Sequence, residues 1–329
     1  MVLCRSRRIT ARNADRMYTS PDVAALGELA PYCAPGVTDL LIDGAGQLWV
    51  DGGDGLGPRH DWRPLGEPMV RRLAVRLIAQ GGRHLDEATP CVDVRLAGGI
   101  RVHAVLPPVS TAGTLLSIRL PASEPLGLAE LVHRGSLSAE LAGQLVDAVH
   151  ARRNVLITGA TGSGKTTLLS ALLAEVPSEQ RILTIEDVAE LQVAHPHVVG
   201  LEARQPNLEG RGGVDLAQLL RQALRMRPDR IVLGECRGAE LRELLAALNT
   251  GHAGSAGTMH VNRLEDVPAR LLALGAVAGL NAEALGMQAA AAFDLLIHSA
   301  RGRDGRRRVD QVARLRWARG ELHVEQGFQ

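Results

Sequence analysis

The stretch that decides the fold is Gly159-Ala160-Thr161-Gly162-Ser163-Gly164-Lys165-Thr166-Thr167. It fits the pattern GxxxxGK[ST] without a mismatch, between an apolar run typical of a strand and an apolar run typical of a helix. Its glycines allow successive backbone N–H groups to curve around phosphates, next to the positive end of the helix dipole. In such a loop Lys165 reaches the β- and γ-phosphates, and the Thr166 hydroxyl binds Mg²⁺. The alternative, a glycine-rich turn without a ligand, is disfavoured by this context, so the sequence predicts ATP and Mg²⁺ as cofactors.

Lys165 is also the one lysine among the 37 basic residues of the chain. Arginine serves at every other basic position, because it forms ion pairs and keeps its charge equally well. A wide planar guanidinium cannot replace a compact ammonium in a narrow pocket. The composition therefore indicates that position 165 has a requirement for lysine.

Composition limits the class of protein. Hydrophobic residues make up 46% of the chain and charged residues 22%, and the formal net charge is +1, as in an ordinary globular protein. Near-neutral charge and 2% aromatic residues offer little for gripping nucleic acid. No apolar run approaches the roughly 18 residues of a membrane-spanning helix, and no apolar segment follows the Arg-rich N-terminus. We therefore expect no transmembrane segment and a cytoplasmic location.

Composition shifts and periodicity predict the division of the chain. Residues 1–20 form a flexible arm, and residues 21–120 form an α+β domain built from two hairpins, a further strand and a helix over 67–80. Residues 121–135 are a linker, since Pro121 and Pro125 break the pattern. Residues 136–329 form the nucleotide-binding domain, with Ser136 as the N-cap of its first helix.

The second domain alternates strands and helices, which predicts a largely parallel sheet covered on both faces. Strands are expected near 154–158, 181–185 and 230–233, and the chain is expected to close with a terminal hairpin of strands 293–299 and 308–316. The fold class predicted is α/β, a RecA-like P-loop NTPase domain preceded by a smaller α+β domain.

Two carboxylate groups follow predicted strands, where strand ends would deliver them to the γ-phosphate. Glu186 and Asp187 end the run Thr184-Ile185, and Glu235 ends the run Ile231-Val232-Leu233-Gly234. Such a strand usually ends in a metal-binding Asp, and Gly234 occupies that place. We expect Glu235 to polarise the attacking water or to support the metal, and Glu186 is the alternative for the water. Without the phosphate loop, Glu186 and Asp187 could equally be caps and Glu235 a solvated strand-end charge.

A third segment, Gly251-His252-Ala253-Gly254-Ser255 followed by Thr258 and His260, is predicted to be a glycine-rich loop carrying two imidazoles. Histidine can donate to a γ-phosphate or report its loss. Both histidines could instead be structural turn residues. Their order behind the phosphate loop favours a place for His252 and His260 at the nucleotide.

Several branches of P-loop proteins fit poorly. A guanine-specific GTPase normally carries Asn-Lys-x-Asp, which a chain with a single lysine lacks. The Ser-Gly-Gly signature of transporter ATPases is absent from the sequence. A small-molecule kinase would need a lid and a substrate pocket, and neither is identified.

Four motifs in order carry a family resemblance: the phosphate loop, Ile185-Glu186-Asp187-x-x-Glu190-Leu191, Gly234-Glu235-x-Arg237-Gly238, and Gly251-His252-x-Gly254-Ser255-x-x-Thr258-x-His260-x-Asn262. Over about residues 30–315 the chain resembles the type II/IV secretion ATPases. It looks closest to the tight-adherence (Tad/Flp) pilus and conjugal-transfer-associated branch. Residues 101–108, leading to 116–119, are similar as well.

The resemblance implies a homo-hexameric, Mg²⁺-dependent motor that powers pilus assembly or protein secretion. It would act at the cytoplasmic face of the inner membrane, on a membrane platform protein. Family arginines of the N-terminal domain reach the phosphates, a role that would fall to Arg101 and Arg119, although Arg119 could be a surface strand residue. Arg237 is a further candidate for stabilising charge. The alternatives are a conjugative DNA-transfer motor, a nucleotide switch without turnover and, more distantly, a small-molecule kinase.

Overall fold

A computed structural model describes residues 21–52, 55–121, 125–204, 211–302 and 304–327. The chain divides into two compact units, residues 1–124 and 125–329. The predicted arm, residues 1–20, lies outside the described residues.

The first unit is an antiparallel sheet with one long helix. Its strands are β1 (Asp39–Ile42), β2 (Leu48–Asp51), β3 (Leu56–Pro58), β4 (Cys91–Arg95), β5 (Arg101–Val105) and β6 (Leu115–Arg119). They run in the order β3-β2-β1-β6-β5-β4. The helices are α1 (Pro21–Ala24) and α2 (Glu67–Gln80), with a 3-10 helix at Gly27–Tyr32 and a 3-10 turn at Ala97–Gly99.

Alternation along these strands separates a buried face from an exposed one. On β5 and β6 the side chains of Val102, Ala104, Leu116 and Ile118 are buried and pack in one core with Leu77 of α2. The residues between them face away from this core, as the two-residue period of a strand requires. Arg101 and Arg119, which pair across β5 and β6, lie on that other face.

Within its described residues, the second unit contains eight strands: β7 (Val155–Gly159), β8 (Ile182–Glu186), β9 (Val198–Glu202), β10 (Arg230–Cys236), β11 (Ala256–His260), β12 (Leu295–Arg301), β13 (Arg307–Ala318) and β14 (Glu321–Gln326). Their order is β14-β13-β12-β7-β11-β10-β8-β9. The six strands from β12 to β9 are mutually parallel, and β13 and β14 extend the sheet in antiparallel fashion.

In the part of the unit that the structure describes, seven helices cover this sheet: α3 (Leu128–His133), α4 (Ala139–His150), α5 (Lys165–Leu173), α6 (Leu216–Ala223), α7 (Glu240–Asn249), α8 (Val267–Val277) and α9 (Ala282–Ala292), with a 3-10 turn at Leu264–Asp266. One core packs Ile157 and Ile297 against α3, α4 and α5. A second core packs Leu156 and Leu296 against α6, α7, α8 and α9. Helices on both faces bury strands that are apolar throughout, which is the reason the strands read as continuous hydrophobic runs.

The predicted fold class is confirmed, two details of the prediction are wrong, and a third is correct in part. Residues 128–133 of the predicted linker form α3, whose Leu128 and Leu131 are buried in the core. The N-cap is Ser138, whose hydroxyl accepts from the backbone N–H of Leu141, whereas the N–H of Ser136 donates to Leu131 and closes α3. The predicted hairpin is present, since β12 and β13 pair in antiparallel fashion, but it is not terminal, because β14 follows β13, and β12 also pairs with β7 inside the sheet.

Within the described part of the chain, no single helix has the length and apolar character needed to cross a membrane. The helical stretches Leu264–Val277 and Ala282–Ala292 pass that test only when taken together, with a bend of 119° between them.

Candidate nucleotide-binding site

The phosphate loop connects β7 to α5 at the carboxyl end of the parallel strands. Its backbone turns through left-handed conformations at Gly162 (φ 74°) and Gly164 (φ 96°). Gly159 has no room for a side chain, because a Cβ built there would lie 2.2 Å from the carbonyl oxygen of Ser299. The loop is therefore held against β12 by close backbone contact. Thr166 and Thr167 lie in the first turn of α5 and are half-buried.

Lys165 places its ammonium inside this loop. Nζ donates to the carbonyl oxygens of Gly159 (3.0 Å) and Ala160 (2.9 Å). Burial lowers the pKa of Lys165, while the charge of Glu235 acts in the opposite direction. Ser163 contributes a buried hydroxyl that has no hydrogen-bond partner within the described residues. A desolvated cation and an unused hydroxyl at a helix N-terminus fit the phosphates of a nucleotide.

Glu186 is buried at the end of β8. Its Oε1 accepts from the backbone N–H groups of Glu190 (2.9 Å) and Leu191 (3.0 Å) and so holds the turn that follows the strand. The same side chain explains the glycine at position 234 on neighbouring β10. A Cβ on Gly234 would lie 2.6 Å from Cγ of Glu186. The side chain of Glu186, through its Cγ methylene, thus occupies the space that a side chain at the usual Asp position would need.

Glu235, Arg237 and Asp187 form a charged group at the end of β10. Arg237 donates through Nη2 to Glu235 (2.5 Å) and through Nη1 to Asp187 (3.4 Å). The hydrogen bond that Arg237 donates to Glu235 raises the pKa of Arg237. Three residues that the sequence singled out in two separate motifs are therefore brought together.

His260 ends β11, which lies between the loop strand β7 and β10. Its Nδ1 is 3.1 Å from the hydroxyl of Thr161 in the phosphate loop, and the residue pairs with Gly159. The segment that contains it, however, is strand rather than the predicted glycine-rich loop from Ala256 onward. Because β11 lies in the middle of the sheet, its residues from Ala256 to Met259 are buried.

His252 lies at the other end of β11. Parallel pairing of β11 with β7 puts Ala256 beside Val155 and His260 beside Gly159. Residues before Ala256 therefore lie at the strand end opposite to the phosphate loop. There the imidazole Nδ1 is 3.2 Å from the carbonyl oxygen of Ala247. The structure therefore does not bring His252 to the phosphate loop of its own chain, and its role at the nucleotide stays a prediction.

Arg101 and Arg119 belong to the first unit. Their strands pair the two residues directly, and Nε of Arg119 donates to Asp39 (3.1 Å). Both arginines lie on the sheet face opposite the core. Their role at the phosphates stays a prediction.

Two residues of β12 lie at the loop and were missed from the sequence. The hydroxyl of Ser299 donates to the carbonyl oxygen of Ser163 (2.7 Å). His298 is 4% exposed, and its Nδ1 lies 2.9 Å from the hydroxyl of Thr158. Burial lowers the pKa of His298, so the imidazole is neutral near pH 7. The available signal was the run of apolar residues before His298, which predicts a hairpin strand, as observed, but does not reveal its second pairing with β7.

A family model for the type II/IV secretion system protein family matches residues 24–315. The chain belongs to this family. A putative conjugal transfer protein of Mycobacterium tuberculosis is 50% identical over 310 residues, covering 92% of this chain and 88% of that protein. The probable conjugal transfer protein TrbB of Sinorhizobium fredii is 32% identical over 296 residues, covering 88% and 86%.

Among solved structures, the pilus retraction motor PilT with bound ADP is similar to this secretion-family chain. The TM-score is 0.62 at 23% identity, and the match covers 89% of this chain and 80% of PilT. At that identity the likeness bears on the fold alone. The predicted resemblance to type II/IV secretion ATPases is confirmed.

Proposed function

We propose that this chain is a Mg²⁺-dependent ATPase that powers a secretion, pilus or conjugal-transfer machine. The observation that carries the proposal is the phosphate loop, with the ammonium of Lys165 inside it and the carboxylates of Glu186 and Glu235 at neighbouring strand ends. Phosphoryl transfer to water needs positioning and neutralisation of charge more than covalent chemistry. These side chains supply both.

Each residue has a proposed task. The loop N–H groups from Ala160 to Thr167 and the ammonium of Lys165 would bind the phosphates, and the Thr166 hydroxyl with Glu235 would hold Mg²⁺. Magnesium, when bound, neutralises phosphate charge and orients the γ-phosphate. His260 would report the phosphate through Thr161.

Glu235 is the better candidate for orienting the attacking water. One oxygen of Glu186 already accepts two backbone N–H groups, and its carboxylate is buried. Glu186 would therefore act as a positioning residue for the turn after β8. Arg237, which donates to Glu235 and Asp187, would balance charge next to that water.

The proposed oligomeric assembly rests on membership of the type II/IV secretion system protein family. We infer a homo-hexamer at the cytoplasmic face of the inner membrane, in which Arg101 and Arg119 approach the phosphates and a platform protein receives the motion. The names of the relatives favour conjugal transfer as the machine over a tight-adherence pilus. Near-neutral charge argues that the chain works on the transfer apparatus and not directly on DNA.

The test is phosphate release by the purified chain with Mg·ATP. We expect Lys165→Ala to abolish turnover and Glu235→Gln to reduce it by about 100-fold or more, as for loss of a general base. Glu186→Gln should lose far less, and Glu243→Gln, the same change at a helix α7 carboxylate that pairs with Arg221, should behave as wild type. A Glu235→Gln protein at the native rate would refute the assignment of Glu235.

Light scattering and added DNA test the assembly. Six 35.0-kDa chains have a mass of about 210 kDa, which we expect with Mg·ATP present. A protein that stays monomeric under these conditions contradicts the ring. Turnover stimulated several-fold by DNA would support a DNA-translocating motor instead.

A further inference from the structure

The turn between β12 and β13 brings arginines to the phosphate loop. Ser299 faces the loop, since its hydroxyl donates to Ser163. Cross-strand pairs share a face, and Ser299 pairs with Val309 while Arg301 pairs with Arg307. Because side chains two residues apart lie on the same face of a strand, Arg301 and Arg307 are on the side of α5 and the loop.

Arg307 reaches the loop directly. A Cβ built on Gly164, the residue before Lys165, would lie 3.4 Å from Cδ of Arg307 and 3.6 Å from its Cβ. The aliphatic stem of Arg307 therefore packs over the N-terminus of α5, and the guanidinium is carried beyond it.

Two neighbouring arginines, Arg301 and Arg308, are engaged within the turn itself. Nε of Arg301 donates to the carbonyl oxygen of Gly305 (2.9 Å), and Arg308 forms an ion pair with Asp304 (3.0 Å). By contrast, the side chain of Arg307 makes neither a hydrogen bond nor an ion pair with any residue that the structure describes.

Charge makes this arrangement costly unless an anion is bound. The N-terminus of α5 carries the positive end of the helix dipole, and Lys165 adds a full charge in the next residue. A guanidinium stem packed on Gly164 adds another cation to that region, and like charges repel. An anion with several oxygens relieves the repulsion, and the planar fork of arginine suits phosphate oxygens.

We infer that Arg307 binds a phosphate group of the nucleotide, supplied by the same chain from the β12–β13 turn. This inference rests on the proposed nucleotide site and adds a cation to it that the sequence motifs did not contain. The distinct claim is that the charge of Arg307, and not only its stem, acts at the loop.

Binding of a fluorescent ATP analogue with Mg²⁺ to the full chain tests this claim. Arg307→Met keeps an apolar stem and removes the charge, and we expect affinity to fall about 10- to 100-fold, as for loss of a charge-assisted hydrogen bond. Arg307→Lys should retain more affinity than Arg307→Met. The matched control is Arg306→Met, one residue along, which should change affinity by less than about twofold.

The outcomes separate the two proposals. If wild type and Arg306→Met bind the analogue and Arg307→Met binds equally well, Arg307 only packs on the loop and the inference is wrong. If wild type and Lys165→Ala bind equally, or neither binds, the nucleotide site itself is wrong and the inference falls with it. Arg307 is exposed, so circular dichroism melting is expected to show all the variants folded.

Discussion

Gly254 allows a test of the contacts that stabilise the sheet at the strand ends opposite to the phosphate loop. Arg230 begins β10 and is 1% exposed. Its guanidinium donates to Gln180 Oε1 (2.8 Å) and to the carbonyl oxygens of Gly254 and Val149 (both 2.9 Å). Burial lowers its pKa to about 10. A Cβ on Gly254 would lie 2.2 Å from Nη1 of Arg230, so Gly254→Ala must displace the guanidinium.

The cost has two parts that a control can separate. An L-residue at the left-handed φ of Gly254 (85°) costs about 1–2 kcal/mol. Loss of at least one hydrogen bond to a buried charged group adds about 1.5–3 kcal/mol. Gly279 has a similar φ (74°) with no atom within 4 Å of a built Cβ, so Gly279→Ala carries the first part alone.

Calorimetric melting measures the difference between the two variants. At about 2–4 °C per kcal/mol for a unit of this size, Gly254→Ala should melt about 3–12 °C below Gly279→Ala. Equal melting temperatures would refute the reasoning that Arg230 is fixed in place. Adding Arg230→Met to Gly254→Ala should remove the penalty specific to Gly254, which a double-mutant cycle detects.

Three more predictions concern the loop and its neighbours. Gly234→Ala should displace Glu186, lowering stability by about 1–3 kcal/mol and reducing ATP turnover, whereas Gly257→Ala, with no contact under 3.6 Å, should be tolerated on denaturant titration. His298 is held neutral, so its contribution to stability is complete above about pH 6.5 and is lost as the pH falls below that value; His298→Gln should flatten the pH dependence of the urea midpoint, and equal slopes would contradict this. Ser299→Ala removes the hydrogen bond to Ser163 and should weaken ATP binding by about two- to tenfold, so unchanged affinity in a titration would exclude a role for the hydroxyl.

Much of the fold followed from local signals. The helix Glu67–Gln80 was predicted at its observed bounds, because apolar residues recur along one face over several turns. The elements that the sequence did not predict are those whose own residues do not separate into an apolar and a polar face. β11 contains glycine and threonine and becomes a strand through pairing with β7 and β10 on either side. Its position is set by the sheet, which no local window reveals.

The candidate site was predictable where a motif fixes backbone geometry and less so where topology decides. The phosphate loop, Glu235 and Arg237 lie where the strand ends suggested. His252 and His260 belong to one motif, yet the buried strand β11 separates them, so that they lie at opposite ends of that strand. No local pattern indicates His298, Ser299 and Arg307 as site residues. They come to the phosphate loop because β12 pairs with β7 and β13 pairs with β12. A strand order of this kind depends on long-range packing.

Because it has a single lysine, the chain is an unusual target for amine-reactive reagents. Apart from the α-amino group, Lys165 carries the one primary amine in the sequence. Burial lowers its pKa, which leaves more of it as the nucleophilic free base than an exposed lysine at the same pH. An amine-acylating probe should therefore modify Lys165 and the α-amino group alone among the amines, and protection of Lys165 by ATP would report occupancy. Mass spectrometry of one peptide could follow the nucleotide state of the intact machine.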